Sequence, residues 1–362
     1  MQKTFGQKAS KLVAALAIAA MTLTAFAAPA SAAKKTEFKF AWSIYAGWMP
    51  WGWAADNGIV KKWADKYGIK IDVVQFNDYV ESINQYTAGA YDGVVATNMD
   101  TLAIPSVGGV DTTALIVGDF SNGNDAIILK GKTKLPDLVG QKVNLVELSV
   151  SHYLMARALQ SIGKTEKDVT VVNTSDADMV AAWKTKDVTS VVTWNPLVAE
   201  ILADKNAHKV FDSSQIPGEI MDLSVVNTQT LKDNPNFGRA LAGAWYETMK
   251  IMSSDTPEGK AAREAMGKAS GTDLAGYDAQ LATTRMFYTP EEATKFTMGA
   301  SLYKTMDLVR TFLFSHGLLG QGAASADVVG IAFPDGKVLG DKNNVKFRFT
   351  AAYMNEAAKA AK

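Results

Sequence analysis

The sequence predicts an α/β fold in two lobes, with parallel-type sheets flanked by helices and a two-strand hinge between them. Three observations lead there. Short β-type runs alternate with longer helical ones from Glu37 to about Asn227, a rhythm that implies parallel strands joined by right-handed crossovers. The alternation falls into two sets with no Pro-, Gly- or Ser-rich linker between them, so the chain is expected to cross between lobes through strands near residues 120 to 127 and 217 to 225. At 362 residues, 48% hydrophobic and 20% charged, it is long enough to bury two cores.

In the first set, Phe38 to Trp42, Lys70 to Phe76, Asp92 to Ala96 and Thr113 to Val117 read as strands from their β-branched and aromatic content. Pro50 to Tyr67, Asp78 to Ala88 and Thr101 to Ser106 read as helices, with Gly68 and Gly89 where helix-ending glycines belong. The second set has strands at Ala126 to Leu129, Lys142 to Glu147, Val169 to Asn173, Val188 to Thr193 and Lys209 to Phe211. Its helices are Ser149 to Ile162, Asp176 to Lys184 and Leu197 to Asp204. Leu223 to Asn227 is a returning strand, followed by helical periodicity over Pro235 to Ser253, Pro257 to Lys268, Asp273 to Met286 and Pro290 to Ser315. The tail beyond Gly320 carries no chemical signal. These readings divide the chain into 33–122 and 221–362 for one lobe and 123–220 for the other.

The N-terminus departs from this pattern. Lys3, Lys8 and Lys11 precede an apolar stretch from Leu12 to Phe26, and Ala30-Ser31-Ala32 offers small residues to a signal peptidase. Residues 1–32 are therefore expected to be a signal peptide cleaved after Ala32, which implies a periplasmic protein. Its removal leaves 34 Lys and Arg against 37 Asp and Glu, a slightly acidic chain with no attraction for nucleic acid. Cysteine is absent, which excludes disulfides, thiolate metal sites, cysteine catalysis and a lipid anchor on cysteine. His152, His208 and His316 are too scattered to suggest a metal site, and no cofactor is expected.

A resemblance enters at the first strand-helix unit. Tyr45-Ala46-Gly47-Trp48-Met49-Pro50-Trp51 leads to Asn57-Gly58-Ile59-Val60-Lys61-Lys62-Trp63, then to the strand Ile71 to Phe76 and the helix end Ala88-Gly89-Ala90-Tyr91-Asp92-Gly93. With Trp194-Asn195-Pro196, this order resembles the nitrate/sulfonate/taurine (NitT/TauT) family of substrate-binding proteins of ABC importers, over roughly residues 37 to 230. Within it, the chain looks closest to the branch encoded beside urea carboxylase. The resemblance implies a periplasmic binding protein fold of type II and a small ligand, urea or guanidine, in an interlobe cleft. It also implies transient delivery to the membrane subunits of an importer by a monomeric protein, and no enzymatic activity.

Ligands on such sheets bind at the carboxyl ends of strands, and the residues there favour a cation. Trp48 and Trp51 follow the first strand, and Pro50 removes a backbone N–H from the helix start, so the position suits a ring face better than an anion. Asp78 and Asp100 follow the second and third strands; each can be a helix N-cap or a cleft carboxylate, and either role repels an anion. Asn98 has the donor and acceptor to read a planar nitrogen compound. Glu147 ends an apolar strand and would take a cationic ligand as partner, unless it is exposed or pairs with Lys142 or Arg157. Trp194 could stack on a planar ligand or pack in the core, and Asp222 is preferred over Glu219 as the acid of the return crossing.

Three other readings compete, one of them a receptor that presents its ligand to a sensor rather than to a transporter. An enzyme on the same fold, of the kind that makes the thiamine pyrimidine, would need a cysteine-rich motif that is absent. A binding protein for nitrate, bicarbonate or a sulfonate would need Arg or Lys turned into the cleft.

Overall fold

Strand β1 (Glu37–Ser43) pairs in parallel with β2 (Lys70–Phe76) along its whole length, Glu37 opposite Lys70 and Ser43 opposite Phe76. The computed structural model describes residues 35–320 and 322–360, so the expected signal peptide at 1–32 lies outside the described residues. The remaining strands of the first half are β3 (Gly93–Thr97), β4 (Thr112–Ser121), β5 (Ala126–Lys130), β6 (Lys142–Leu145) and β7 (Thr170–Asn173). They are followed by β8 (Ser190–Thr193), β9 (Ala207–Asp212), β10 (Met221–Asn227), β11 (Thr284–Met286), β12 (Gly330–Ala332), β13 (Val338–Leu339) and β14 (Val345–Phe349).

These strands make two sheets. The larger is ordered β13-β12-β14-β4-β10-β3-β1-β2, with β11 on the end of β4, and the smaller β7-β6-β8-β5-β9. The chain leaves the large sheet between β4 and β5 and returns between β9 and β10. Ser121 N donates to Ile220 O at 2.9 Å and ties the two crossings together.

The sheets are mixed rather than wholly parallel, for a geometric reason. β4 leaves the large sheet at the end where β10 enters it, so β10 runs antiparallel to β4 and to β3. In the small sheet β5 is the entering strand and β9 the leaving one, and they too are antiparallel.

Local chemistry explains the helices around the cleft. In Tyr79–Thr87, the Asp78 carboxylate accepts from Glu81 N at 2.8 Å as N-cap. Tyr79, Ser82, Ile83 and Tyr86 form its buried face at helical spacing, and Gly89 ends it at φ 81°. The span read as one helix from Pro50 to Tyr67 is two, Met49–Asp56 and Ile59–Lys66, because Gly58 adopts φ 74° between them. The helix expected over Asp273 to Met286 stops at Leu281, and its last residues form β11 against Phe120 and Asp119. The run Pro290 to Ser315 is interrupted at Gly299, whose backbone is extended.

Candidate functional site: an acidic interlobe cavity

Four aromatic rings line up across the boundary between the two sheets. Tyr45 and Trp48 follow β1, Tyr79 follows β2, and Trp194 follows β8 of the small sheet. Their centroids are 5.0 Å apart for Tyr45–Trp48, 5.4 Å for Trp48–Tyr79 and 5.6 Å for Tyr79–Trp194, the last pair edge to face. Together with Asp222, Asp125 and the apolar Val150 and Ile220, these rings line a small cavity. The centre of a water-sized sphere has only about 10 Å³ to move in there, close to the ~10–15 Å³ that a single water requires. Any ligand larger than one water needs the two sides of the cavity to part.

Backbone and side-chain bonds close it from both sides. Trp194 Nε1 donates to Ile44 O at 3.3 Å and Ala46 N to Asn195 O at 3.2 Å. Tyr79 N donates to Asp176 Oδ1 at 3.2 Å, and Ser175 Oγ to Asp78 Oδ2 at 2.7 Å. At a greater distance, His316 Nε2 lies 2.6 Å from Glu166 Oε2, bridging the large-sheet helices to the small-sheet part. The two halves are therefore held together.

The cavity's charge is one-sided. Asp100, Asp119, Asp125 and Asp222 are all buried, and no Lys, Arg or His is among the lining residues. Asp119 stands on β4 directly opposite Asp222 on β10. Like charges opposed on neighbouring strands repel. The register between β4 and β10 shifts here: Leu223 pairs with Val117, which leaves Gly118 as the extra residue. Such a bulge re-aims the side chain beside it. Tyr45 OH donates to Asp119 Oδ1 at 3.3 Å, yet Asp119 Oδ2, Asp222 Oδ2 and Asp100 Oδ1 have no hydrogen-bond partner.

Burial and mutual repulsion shift these acids together. Burial raises Asp100 to about 6 and Asp125 to about 7. Burial also lifts Asp119 and Asp222 above the carboxylate range, and the neighbouring Asp119 charge lifts Asp222 further. A buried carboxylate without a cation is costly.

Some of the residues expected from sequence lie in this cavity and others do not. Trp48, Trp194 and Asp222 line it. Trp51 faces away: it is 1% exposed and stacks on Trp245 at 5.2 Å in the large-sheet core, because the first turn of Met49–Asp56 turns it inward. Asp78 caps its helix and holds Ser175 instead of lining the cavity. Asn98 spends its amide on the return crossing, donating to Glu219 O at 3.2 Å and accepting from Met221 N at 3.0 Å.

Asp100 stands behind the lining. It accepts from Tyr79 OH at 2.7 Å, Thr97 Oγ1 at 2.8 Å and Val150 N at 3.4 Å. Glu147 is exposed, because β6 ends at Leu145 and the chain turns through Leu148 at φ 66°. Arg157 pairs with Glu219, which Tyr153 OH also contacts at 2.6 Å. Tyr45, Tyr79, Asp119 and Asp125 were not singled out in the sequence. Only Tyr45 and Tyr79 carried a signal, as aromatics directly after strands.

A family model described as the NMT1-like family matches residues 31–267. The chain belongs to that family. The taurine-binding periplasmic protein of Escherichia coli (strain K12) is 25% identical to it over 131 residues, 35% of this chain and 40% of that protein; the match spans about two-fifths of the curated relative's length. Among solved structures, the alkanesulfonate-binding protein from Xanthomonas axonopodis pv. citri bound to MOPS superposes with a TM-score of 0.66 at 15% identity, over 80% of this chain and 96% of that one. The periplasmic nitrate-binding protein from Synechocystis PCC 6803 gives 0.54 at 13% identity, over 91% and 99%. This NMT1-like chain therefore has the periplasmic binding protein fold, mixed α/β with two sheets. No described helix is long and apolar enough to cross a membrane.

Proposed function

We propose that this protein is the periplasmic solute-binding component of an ABC importer and that it captures a small planar nitrogenous cation, guanidinium, with urea as a weaker neutral alternative. In this reading the lobes are 33–122 with 221–362 and 123–220, and the ligand is enclosed where they meet. The observation that carries the reading is the set of buried, partly unpartnered carboxylates behind an aromatic wall with no basic residue in the lining.

A guanidinium ion presents N–H groups around its edge and an apolar face. The edge suits the carboxylates of Asp222 and Asp125, with Asp119 directly behind Asp222, and the face suits Trp48 and Trp194. Charge-assisted hydrogen bonds contribute ~1.5–3 kcal/mol each and a cation on a Trp face ~0.5–2 kcal/mol, enough for micromolar affinity, about −8 kcal/mol, after association costs. Urea has the same plane but no charge to offset the carboxylates.

The proteins named above bind taurine, alkanesulfonate and nitrate by their names, and the anion reading follows from them. The lining argues against it here, since a sulfonate or nitrate would sit against Asp222 and Asp125 with no Arg or Lys to receive it. A guanidine or urea ligand also agrees with the resemblance to the urea-carboxylase branch. Thermal melting with millimolar guanidinium, urea, ammonium, nitrate and taurine tests the proposal. Guanidinium is expected to raise the melting temperature most; stabilisation by nitrate or taurine alone contradicts it.

A further inference from the structure

The opposed acids Asp119 and Asp222 have a consequence for how a cation enters. They face each other across β4 and β10, each with an oxygen that nothing in the described structure satisfies. Gly47 confines them: a Cβ at that position would come within 2.9 Å of Asp119 Oδ2 and 2.5 Å of the Tyr45 ring. The groups facing the pair from every neighbouring element are acidic or neutral. Asp125 lies on the crossing and Asp100 on the short helix after β3, with Tyr45 after β1 and Tyr277 and Tyr288 behind. The basic groups nearby among the described residues, Arg263 and Arg285, act on Tyr277 and Tyr288 and are themselves paired with Asp278 and Glu292.

Two such carboxylates cannot both remain ionised at short range in a dry site; the stable arrangement is one proton shared between the facing oxygens, an O–H on one donating to the other. We propose that the Asp119–Asp222 pair is a proton-loaded acceptor and that the ligand cation displaces this proton. This rests on the reading of the cavity as a cation site. The exchange balances: the carboxylic acid O–H breaks, its proton goes to solvent, and two carboxylates are left facing one organic cation. The upward shift of both acids by burial agrees with a proton held near neutral pH. Asp119 thereby becomes a ligand-positioning residue, and ligand affinity becomes a function of pH by linkage.

Calorimetry of guanidinium chloride binding at pH 6.5, in phosphate and in bis-tris, whose ionisation heats differ, reads the proton directly. Release of about one to two protons per ligand is expected, the pair's and part of that on Asp125, with affinity rising about tenfold or more per pH unit while these acids hold their protons. An infrared band of a buried protonated carboxyl should disappear on adding guanidinium. Asp119→Asn removes the charge that helps hold Asp222 protonated, and should release fewer protons per ligand than the wild type and show a shallower rise of affinity with pH; if it does not fold, the wild-type heats and the infrared band decide the matter alone. Binding of guanidinium with no proton release and a flat pH profile overturns the exchange and leaves the cation site standing. No binding of guanidinium at any pH overturns the cation site and the exchange with it.

Discussion

The Ser175 hydroxyl donates a 2.7 Å hydrogen bond to Asp78 Oδ2 from across the cleft. Ser175 also caps its own helix, and Asp78 caps the helix facing it. The two helix starts are linked again by Asp176, which accepts from Tyr79 N. Capping and closure therefore use the same atoms. Ser175→Ala removes one bond between the two sides of the cavity, worth ~0.5–1.5 kcal/mol. It should weaken guanidinium binding by about three- to tenfold in calorimetry, and small-angle scattering should show a less compact liganded form.

Asp222 and Glu147 separate the cavity from the surface. Asp222→Asn keeps the shape but removes a charge from the lining, and should lower guanidinium affinity by about ten- to a hundredfold, the loss of a charge-assisted bond of ~1.5–3 kcal/mol. Glu147→Ala, at an exposed turn, should leave affinity within about twofold. Equilibrium dialysis with labelled guanidine checks both.

The tryptophans divide in the same way. Trp51→Ala empties a core site against Trp245 and Phe40 and should cost ~3–5 kcal/mol of unfolding free energy. Trp194→Ala opens the cavity wall, so its main effect should be on affinity. Chemical denaturation and calorimetry on both variants distinguish the roles.

Stability of the ligand-free protein should fall as pH rises into the neutral range. Asp100 and Asp125 have folded-state pKa values raised by burial to about 6 and about 7. The folded chain thus binds more protons than the unfolded one between the ordinary aspartate range and neutrality. Their contribution is fully present below the unfolded aspartate pKa and is lost as pH climbs through about 6 and about 7. Glu166 acts oppositely: against its burial, bonds from His152 and His316 hold it at about 2, so its own contribution is lost as pH falls towards that value, while that of His316, raised by Glu166, is lost as pH rises. Melting temperatures from pH 5 to 8 should therefore decline without ligand, and the stabilisation by millimolar guanidinium should grow.

Much of the fold was legible because its signals are local. The alternation of β-branched runs and amphipathic helices located the elements around the cleft, and the two crossings lie where the sets of strands meet. The site was less legible because it depends on pairing between distant strands. Trp48, Trp194 and Asp222 could be picked out at strand ends and at the return crossing. Asp119 could not: β4 runs past the expected end at Val117, and the bulge at Gly118 breaks the alternation that would have shown which way Asp119 points. Asp125 sits on the crossing itself, where no periodicity applies. Trp51 and Asn98 stood at promising positions, but core stacking and the backbone of the return crossing occupy their side chains.

The central claim is that the interlobe cavity takes a small organic cation, and calorimetry against guanidinium, urea, nitrate and taurine tests it most directly. The account predicts one guanidinium bound per chain at micromolar affinity, weaker urea binding, and no heat from nitrate or taurine. Saturable binding of nitrate or taurine in the absence of guanidinium binding would contradict it.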